Sequence, residues 1–216
     1  LIPEYSEFVK LLEGQPDGLA VPAQKLTVFN GFAGRSANRA SEQIAQLTGL
    51  RTDVSVSQLR FLSFSDMSAE VGEETYVSVV FELTGLPSGY FVAMFSERSA
   101  DRIAAAMTPD GVDPSGGDMT EAAIKELGNI ITSGFIDSWA NTLQSSIEHT
   151  PPELFHDSGA NVIRTVQDRL SEDQEYAFTI DTTIEIADRA AEVQPYVLPD
   201  TRERTRALSA LPAEVA

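Results

Sequence analysis

Twenty-six residues, Asp118 to Leu143, read DMTEAAIKELGNIITSGFIDSWANTL and constrain this chain more than any other stretch. Ile124, Leu127, Ile131, Phe135, Trp139 and Leu143 recur every three or four positions, which is one apolar stripe along a helix. Asp118 falls where an N-cap belongs, and Glu121 three residues on gives an Asp version of the capping box. The opposite stripe reads Glu126, Asn129, Ser133, Asp137 and Gln144. Glu126 and Asn129, three apart, project side by side from that polar face. A carboxylate and a carboxamide fixed on a rigid helix can enter another molecule's site without a pocket of their own.

Composition bounds the rest. The 216 residues suffice for one large domain or two small ones, with a core that needs no staples. There is no Cys, which excludes disulfides and thiol catalysis. The 33 acidic residues outnumber the 15 basic ones, for a net charge of -18. Such an excess repels itself in dilute buffer, and molar salt silences it by shrinking the Debye length to about 3 Å. The expectation is a halophilic protein adapted to a salt-rich cytoplasm, and the plainer alternative is an ordinary acidic soluble protein. Either way nucleic acid is disfavoured as a partner, because no basic patch exists to displace counterions. No apolar run approaches the ~20 residues that span a bilayer, and Pro3, Glu4 and Glu7 interrupt any signal-like segment, so a cytoplasmic protein away from membranes is expected.

In chain order, residues 1–24 read as an extension: a short amphipathic helix, then a linker broken by Gly14, Pro16, Gly18 and Pro22. Lys25 to Thr48 predicts a long helix stopped by Gly49, with Gly31, Ala33, Gly34, Ala37 and Ala40 allowing close approach of another backbone. Strand signals follow at 53–64, where the alternation slips near Gln58, and at 75–83 and 90–95, with a turn over 65–72. A helix over 97–107 precedes a linker at 108–117. The pattern then restarts: a long helix over 119–148, a short helix from Asp157 to Leu170 with Ala160, Ile163, Val166 and Leu170 buried, strands at 176–186 and 196–198, and a closing helix at 201–211. Asn30 overlays Asn129 at an offset of 99, and MFSERSADRIAAAM overlays LPDTRERTRALSAL at 104, as though extra residues lie between the second long helix and its strands. A duplicated helix-plus-sheet unit is expected, with halves 25–108 and 118–211 packed as one domain over 25–211.

With these motifs in view, KELGNIITSGFIDSWANTL followed by Pro151-Pro152 resembles the CheC/CheX/FliY family of chemotaxis phosphatases, which hydrolyse the aspartyl phosphate of the response regulator CheY. The family motif is an acid or Ser, three residues, Glu, two residues, Asn, twenty-two residues, Pro. Glu126, Asn129 and Pro152 stand at that spacing, and Ala122 replaces the leading acid or Ser. In the first half Asn30 is present, but Thr27 stands at the Glu position and Asp53 at the Pro position. The resemblance implies an α+β fold with two pseudo-symmetric halves, long helices packed on a shared antiparallel sheet. It also implies a competent site at Glu126 and Asn129 and a degenerate second site at Asn30.

Under that resemblance phosphorylated CheY is the substrate, Asn129 orients the attacking water, and Glu126 pairs with the regulator's Lys. No cofactor is bound by the chain itself, since CheY supplies Mg²⁺. The plainer readings are a solvated helix acid for Glu126 and a surface amide for Asn129, against which the spacing to Pro152 weighs. Asn30 is either a second water-orienting group or a relic that caps or packs. The segment PPELFHDSGANVIRTVQDRL resembles the extra helix on which CheC docks its partner CheD; Asp157 is then a docking acid, or simply an N-cap. The alternative in another class is a non-enzymatic adaptor binding CheY or CheD, as the switch protein FliM shares the fold without the phosphatase pair. His149 and His156 fit no zinc spacing and read as surface or loop histidines, and no Gly-rich phosphate loop is present.

The charge excess yields a direct test: the melting temperature should rise steadily as KCl is raised from about 0.1 M to beyond 1 M, over which the Debye length falls from about 10 Å to 3 Å. A melting temperature independent of salt would remove the salt-adapted reading.

Overall fold

The computed structural model describes residues 23–49, 51–85, 88–108, 117–143, 146–170, 174, 176–186 and 191–200. The elements run α1 (Ala23–Thr48), β1 (Thr52–Ser63), α2 (Phe64–Val71), β2 (Thr75–Gly85), β3 (Gly89–Ser96), α3 (Glu97–Met107), α4 (Gly117–Leu143), β4 (Ile147–His149), β5 (Glu153–Ser158), α5 (Gly159–Gln167), β6 (Tyr176–Ile186) and β7 (Ala191–Pro199). This is the expected α+β architecture. The N-terminal segment to residue 22, the centre of the predicted 108–117 linker and the closing helix at 201–211 lie outside the described residues.

All strand pairings among the described residues are antiparallel, in the order β1-β6-β7-β3-β2-β4, with β5 also on β2. Exchanging β1 with β5, β2 with β6 and β3 with β7 returns the same order. The two halves therefore share one sheet and swap neighbours across it. Each strand's alternation assigns its side chains to opposite faces. Val77, Val79, Phe81 and Leu83 of β2, with Phe91, Ala93 and Phe95 of β3, meet α1, α3 and α4 on one face. Val80, Val92, Met94 and Leu198 meet α2 and α5 on the other.

The short helices on that second face display the duplication. Ser63 caps α2 by accepting the Asp66 N–H at 3.0 Å, and Ser158 caps α5 by accepting the Asn161 N–H at 3.3 Å. Each half also carries a forked Arg–Glu pair between the short helix region and its neighbouring strand, with the polarity reversed. Arg60 on β1 grips Glu70 on α2 at 2.6 and 2.8 Å, which holds that carboxyl below the usual range. Arg169, past α5, grips Glu153 on β5 at 3.0 Å through both nitrogens and lies 5.6 Å over the Phe155 ring.

Several expectations are corrected. The predicted turn at 65–72 is helix α2, in which Phe64, Met67 and Val71 are buried behind the Ser63 cap. The predicted long helix to 148 ends at Leu143, and two strands, β4 and β5, follow it. They lie along the same side of β2, joined by Thr150, whose N–H donates to the Glu82 carbonyl at 3.0 Å while its hydroxyl accepts from the Glu82 N–H at 3.1 Å. Pro151 and Pro152 interrupt this edge, where a missing N–H costs no ladder bond. The short helix begins at Gly159 rather than Asp157. The last predicted strand reaches back from Tyr196 to Ala191. Pro195 is tolerated there because β6 pairs only through Ala191–Val193, leaving that side of β7 without a ladder at Pro195. The extra residues of the second half separate α5 from β6 rather than the long helix from its strands. Matches include α3 at 97–107 and β6 at 176–186, and β1 carries a bulge between Val54 and Ser57 close to the expected slip.

Two glycines set how α4 is seated. A Cβ at Gly134 would lie 2.7 Å from the Ala40 Cα and 2.9 Å from its nitrogen, so α1 and α4 meet backbone to backbone there. A Cβ at Gly128 would meet only the Val79 side chain, at 3.1–3.3 Å. Replacing Gly by Ala in a helix gains about 1 kcal/mol of propensity. At Gly134 the clash is with main chain, and overpacking of about 1–3 kcal/mol should win. Gly134→Ala is therefore expected to destabilise, whereas Gly128→Ala should be near neutral, both read by denaturant unfolding. A Gly134→Ala protein as stable as wild type would show that α1 and α4 are not in this close contact.

Candidate functional site

The site is a helix face. Ile124, Leu127 and Ile131 are fully buried and Phe135 nearly so, which fixes the rotation of α4 against the sheet. The side chains of Trp139 and Leu143, at the end of the same stripe, lie outside the described residues, as does Gln144. Gly128, between the two candidate residues, lets the helix settle on Val79. Sequence reasoning misses this residue, whose signal was a glycine inside a helical pattern. With the apolar stripe down, Glu126 and Asp137 are exposed, and Asn129 and Ser133 are half-buried. The structure thus brings Glu126 and Asn129 together on the polar face, about 5–6 Å apart at Cβ by helix geometry.

Neither Glu126 nor Asn129 is engaged by a hydrogen bond or ion pair among the described residues. Lys125 is instead drawn to Glu121, one turn back, at 3.6 Å. That pairing corrects the capping-box expectation: α4 begins at Gly117, so Asp118 lies in its first turn, where its charge favours the helix dipole, and Glu121 has Lys125 as its contact. Ala122 is exposed one turn before Glu126 and places no carboxylate beside it. Pro152 lies in the interruption between β4 and β5, on the sheet edge that follows α4. Asn30 lies in α1, and its side chain and that of Thr27 are outside the described residues.

Asp157 is the last but one residue of β5 and is not an N-cap; Ser158 is. The Asp157 carboxylate accepts from the Asn161 side-chain amide at 3.0 Å and from the Ser158 N–H at 2.7 Å, and these bonds hold its pKa below the ordinary value. The two histidines stand on strands rather than loops. His149 packs edge-on against Phe81, and exposed His156 meets Glu97 at 2.7 Å. Among the described residues no group of three or more His, Cys, Asp and Glu is placed to hold a metal ion, and no helix is long and apolar enough to cross a membrane.

This arrangement can be set beside known proteins. The CheC-like family model matches residues 119–156, a span that contains Glu126, Asn129 and Pro152. CheC1 of Halobacterium salinarum, assigned by name as a CheY-P phosphatase, is 32% identical over 183 residues, covering 83% of this chain and 92% of that protein. The chain belongs to the CheC-like family. The CheY-P phosphatase CheC of Bacillus subtilis is 24% identical over 190 residues, covering 83% of this CheC-like chain and 90% of its relative. Among solved structures, Thermotoga maritima FliY superposes with a TM-score of 0.69 at 13% identity, over 88% of this chain and 97% of that one. CheX in the CheX–CheY–BeF3–Mg²⁺ complex from Borrelia burgdorferi superposes at 0.54 and 14% identity, over 78% and 97%. The FliM middle domain of H. pylori superposes at 0.64 and 12% identity, over 88% and 100%. At these identities the structural likenesses establish the fold of this CheC-like chain and nothing finer.

The Asp157 geometry predicts that Asn161→Ala raises the Asp157 pKa toward the ordinary carboxylate value, read by NMR titration of its side-chain carbon. An unmoved titration would show that the Asn161 amide does not hold this carboxylate.

Proposed function

We propose that this CheC-like protein hydrolyses the aspartyl phosphate of a CheY-type response regulator, with Glu126 and Asn129 as the working pair. Family membership and the two relatives named as CheY-P phosphatases support the reaction. The observation that carries the residue assignment is the pair itself: a carboxylate and a carboxamide, unengaged among the described residues, on the outward face of a helix whose opposite face is locked into the core.

The chemistry asks little of such a protein. An aspartyl phosphate is a reactive mixed anhydride, and the regulator brings its own Mg²⁺ and cationic side chain, so no cofactor need be bound here. What must be added is a water held in line with phosphorus, which positioning alone can make worth several kcal/mol. The Asn129 oxygen accepts a hydrogen bond from that water while the group stays neutral beside the phosphoryl oxygens. A carboxylate in its place would be repelled by them. Glu126, about one turn away and exposed, pairs with the regulator's Lys and so fixes the height and rotation of α4 over the acyl phosphate. Asn30 is left as a second, weaker orienting group, because Thr27 cannot form the corresponding ion pair. Asp157, exposed at the end of β5, remains the candidate acid for docking CheD, with its carboxylate already oriented by Asn161 and Ser158.

The test is phosphate loss from a phosphorylated CheY-type regulator in high salt. Wild type should accelerate it, and Asn129→Ala should lower the rate at saturating regulator on the order of 10²-fold, the scale of lost positioning. Glu126→Gln should chiefly raise the regulator concentration needed. If wild type binds the regulator and leaves its phosphate lifetime unchanged, the chain is an adaptor.

A further inference from the structure

The polar face of α4 does not end at Asn129. Glu126 and Asp137 are eleven residues apart, three helical turns, so they lie on nearly one line along the helix, about 16 Å apart by the rise per residue. Both are exposed, and Ser133 lies between them. Asp137, like Glu126, is engaged by no hydrogen bond or ion pair among the described residues. Among the described residues its charge therefore neither closes a helix pair nor ties α4 to a neighbour.

The duplication supplies an internal control. At the offset of 99 that superimposes Asn30 on Asn129, Thr27 stands for Glu126 and Asn38 for Asp137. The amide is kept in both halves, and both carboxylates of the stripe are neutral in α1. Helix α1 is poorer in acid as a whole, with Glu42 as its one carboxylate against four in α4, but Asn38 keeps a polar, exposed side chain at the position matched to Asp137. Of the four carboxylates of α4, Glu126 and Asp137 are the two on the stripe that also carries Asn129, and Glu121 is taken up by Lys125.

We infer that Asp137 is a second anchoring residue for the regulator, an acid that pairs with a Lys or Arg on the partner's surface some three helical turns from the cation taken by Glu126. This inference rests on the proposed function for its partner, but not on turnover. A single ion pair leaves α4 free to pivot about Glu126; a second contact along the helix axis stops that rotation and holds Asn129 over the phosphoryl group. A charge at an interface rim acts mainly on the encounter rate and its salt dependence, with a modest effect on affinity, and truncation of an exposed one costs little for the free protein.

The experiment is a calorimetric titration with the CheY-type regulator carrying BeF3 and Mg²⁺, at the lowest KCl concentration at which wild type and variants are fully folded, where exposed charges are least screened. Asp137→Asn should raise the Kd about two- to fivefold, Asp137→Glu should restore most of it, and neither should change the melting temperature. Glu185→Gln, which removes an exposed acid from β6, measures the effect of net charge alone and should leave the Kd in place. An unchanged Kd in Asp137→Asn, or an equal rise in Glu185→Gln, overturns the inference. Turnover is scored separately: if wild type fails to speed phosphate loss but the Kd still depends on Asp137, the phosphatase reading falls and the anchor stands. Absence of any binding by wild type removes both.

Discussion

The pairing of β3 with β7 is the contact on which the rest depends. It runs antiparallel from Gly89 opposite Pro199 to Met94 opposite Gln194, and it is the one seam where a strand of the first half meets its own counterpart in the second. Outward from it, each half hands its next strand to the other: β6 pairs β1, and β2 pairs β5. Neither half closes its own sheet. The apolar faces of Phe91, Ala93 and Phe95 on one side and Val92 and Met94 on the other are covered only when helices from both halves are present. In a protein built in this way both halves are needed for packing, whatever each carries on its outer helix face.

That division explains the character of α4. Its buried stripe and its two glycines belong to the sheet and to α1, where Gly134 meets Ala40 and Gly128 meets Val79. Its polar face presents Glu126, Asn129, Ser133 and Asp137, which no described neighbour engages. The exposed side chains therefore need no preformed cavity. Their precision comes from the opposite side of the same helix, held by Ile124, Leu127, Ile131 and Phe135. Rigidity of the backbone replaces an enclosing pocket as the source of preorganisation.

Much of this was legible in residues. The stripe of α4 is read at the helical period, and β6 at the strand period, because each element has one clearly apolar side. The polar pair followed from the same period, and Pro152 gave the motif its specificity. What escaped has physical causes. Helix α2, FSDMSAEV, is eight residues long and mostly small and polar, so it reads as a turn unless the Ser63 cap on Asp66 is weighed. Strands β4 and β5 are short and split by Pro151-Pro152, and an edge position was what made those prolines acceptable. The start of β7 was hidden by Pro195 for the same reason. At the candidate site, the burial that orients α4 was foreseeable, but the role of Gly128 required knowing that Val79 lies beneath it. The partner's cations cannot be read from this chain at all, since they belong to another surface.

The central claim is that a regulator's phosphorylated face meets the polar face of α4 and no other. The most direct measurement is NMR of the side-chain carboxamides while the regulator carrying BeF3 and Mg²⁺ is added. The account predicts that the Asn129 amide protons shift and broaden, together with backbone signals of Glu126 and Ser133, while those of Asn161 in α5 stay in place. Perturbation confined to the α2–α5 face, with Asn129 unmoved, would contradict it.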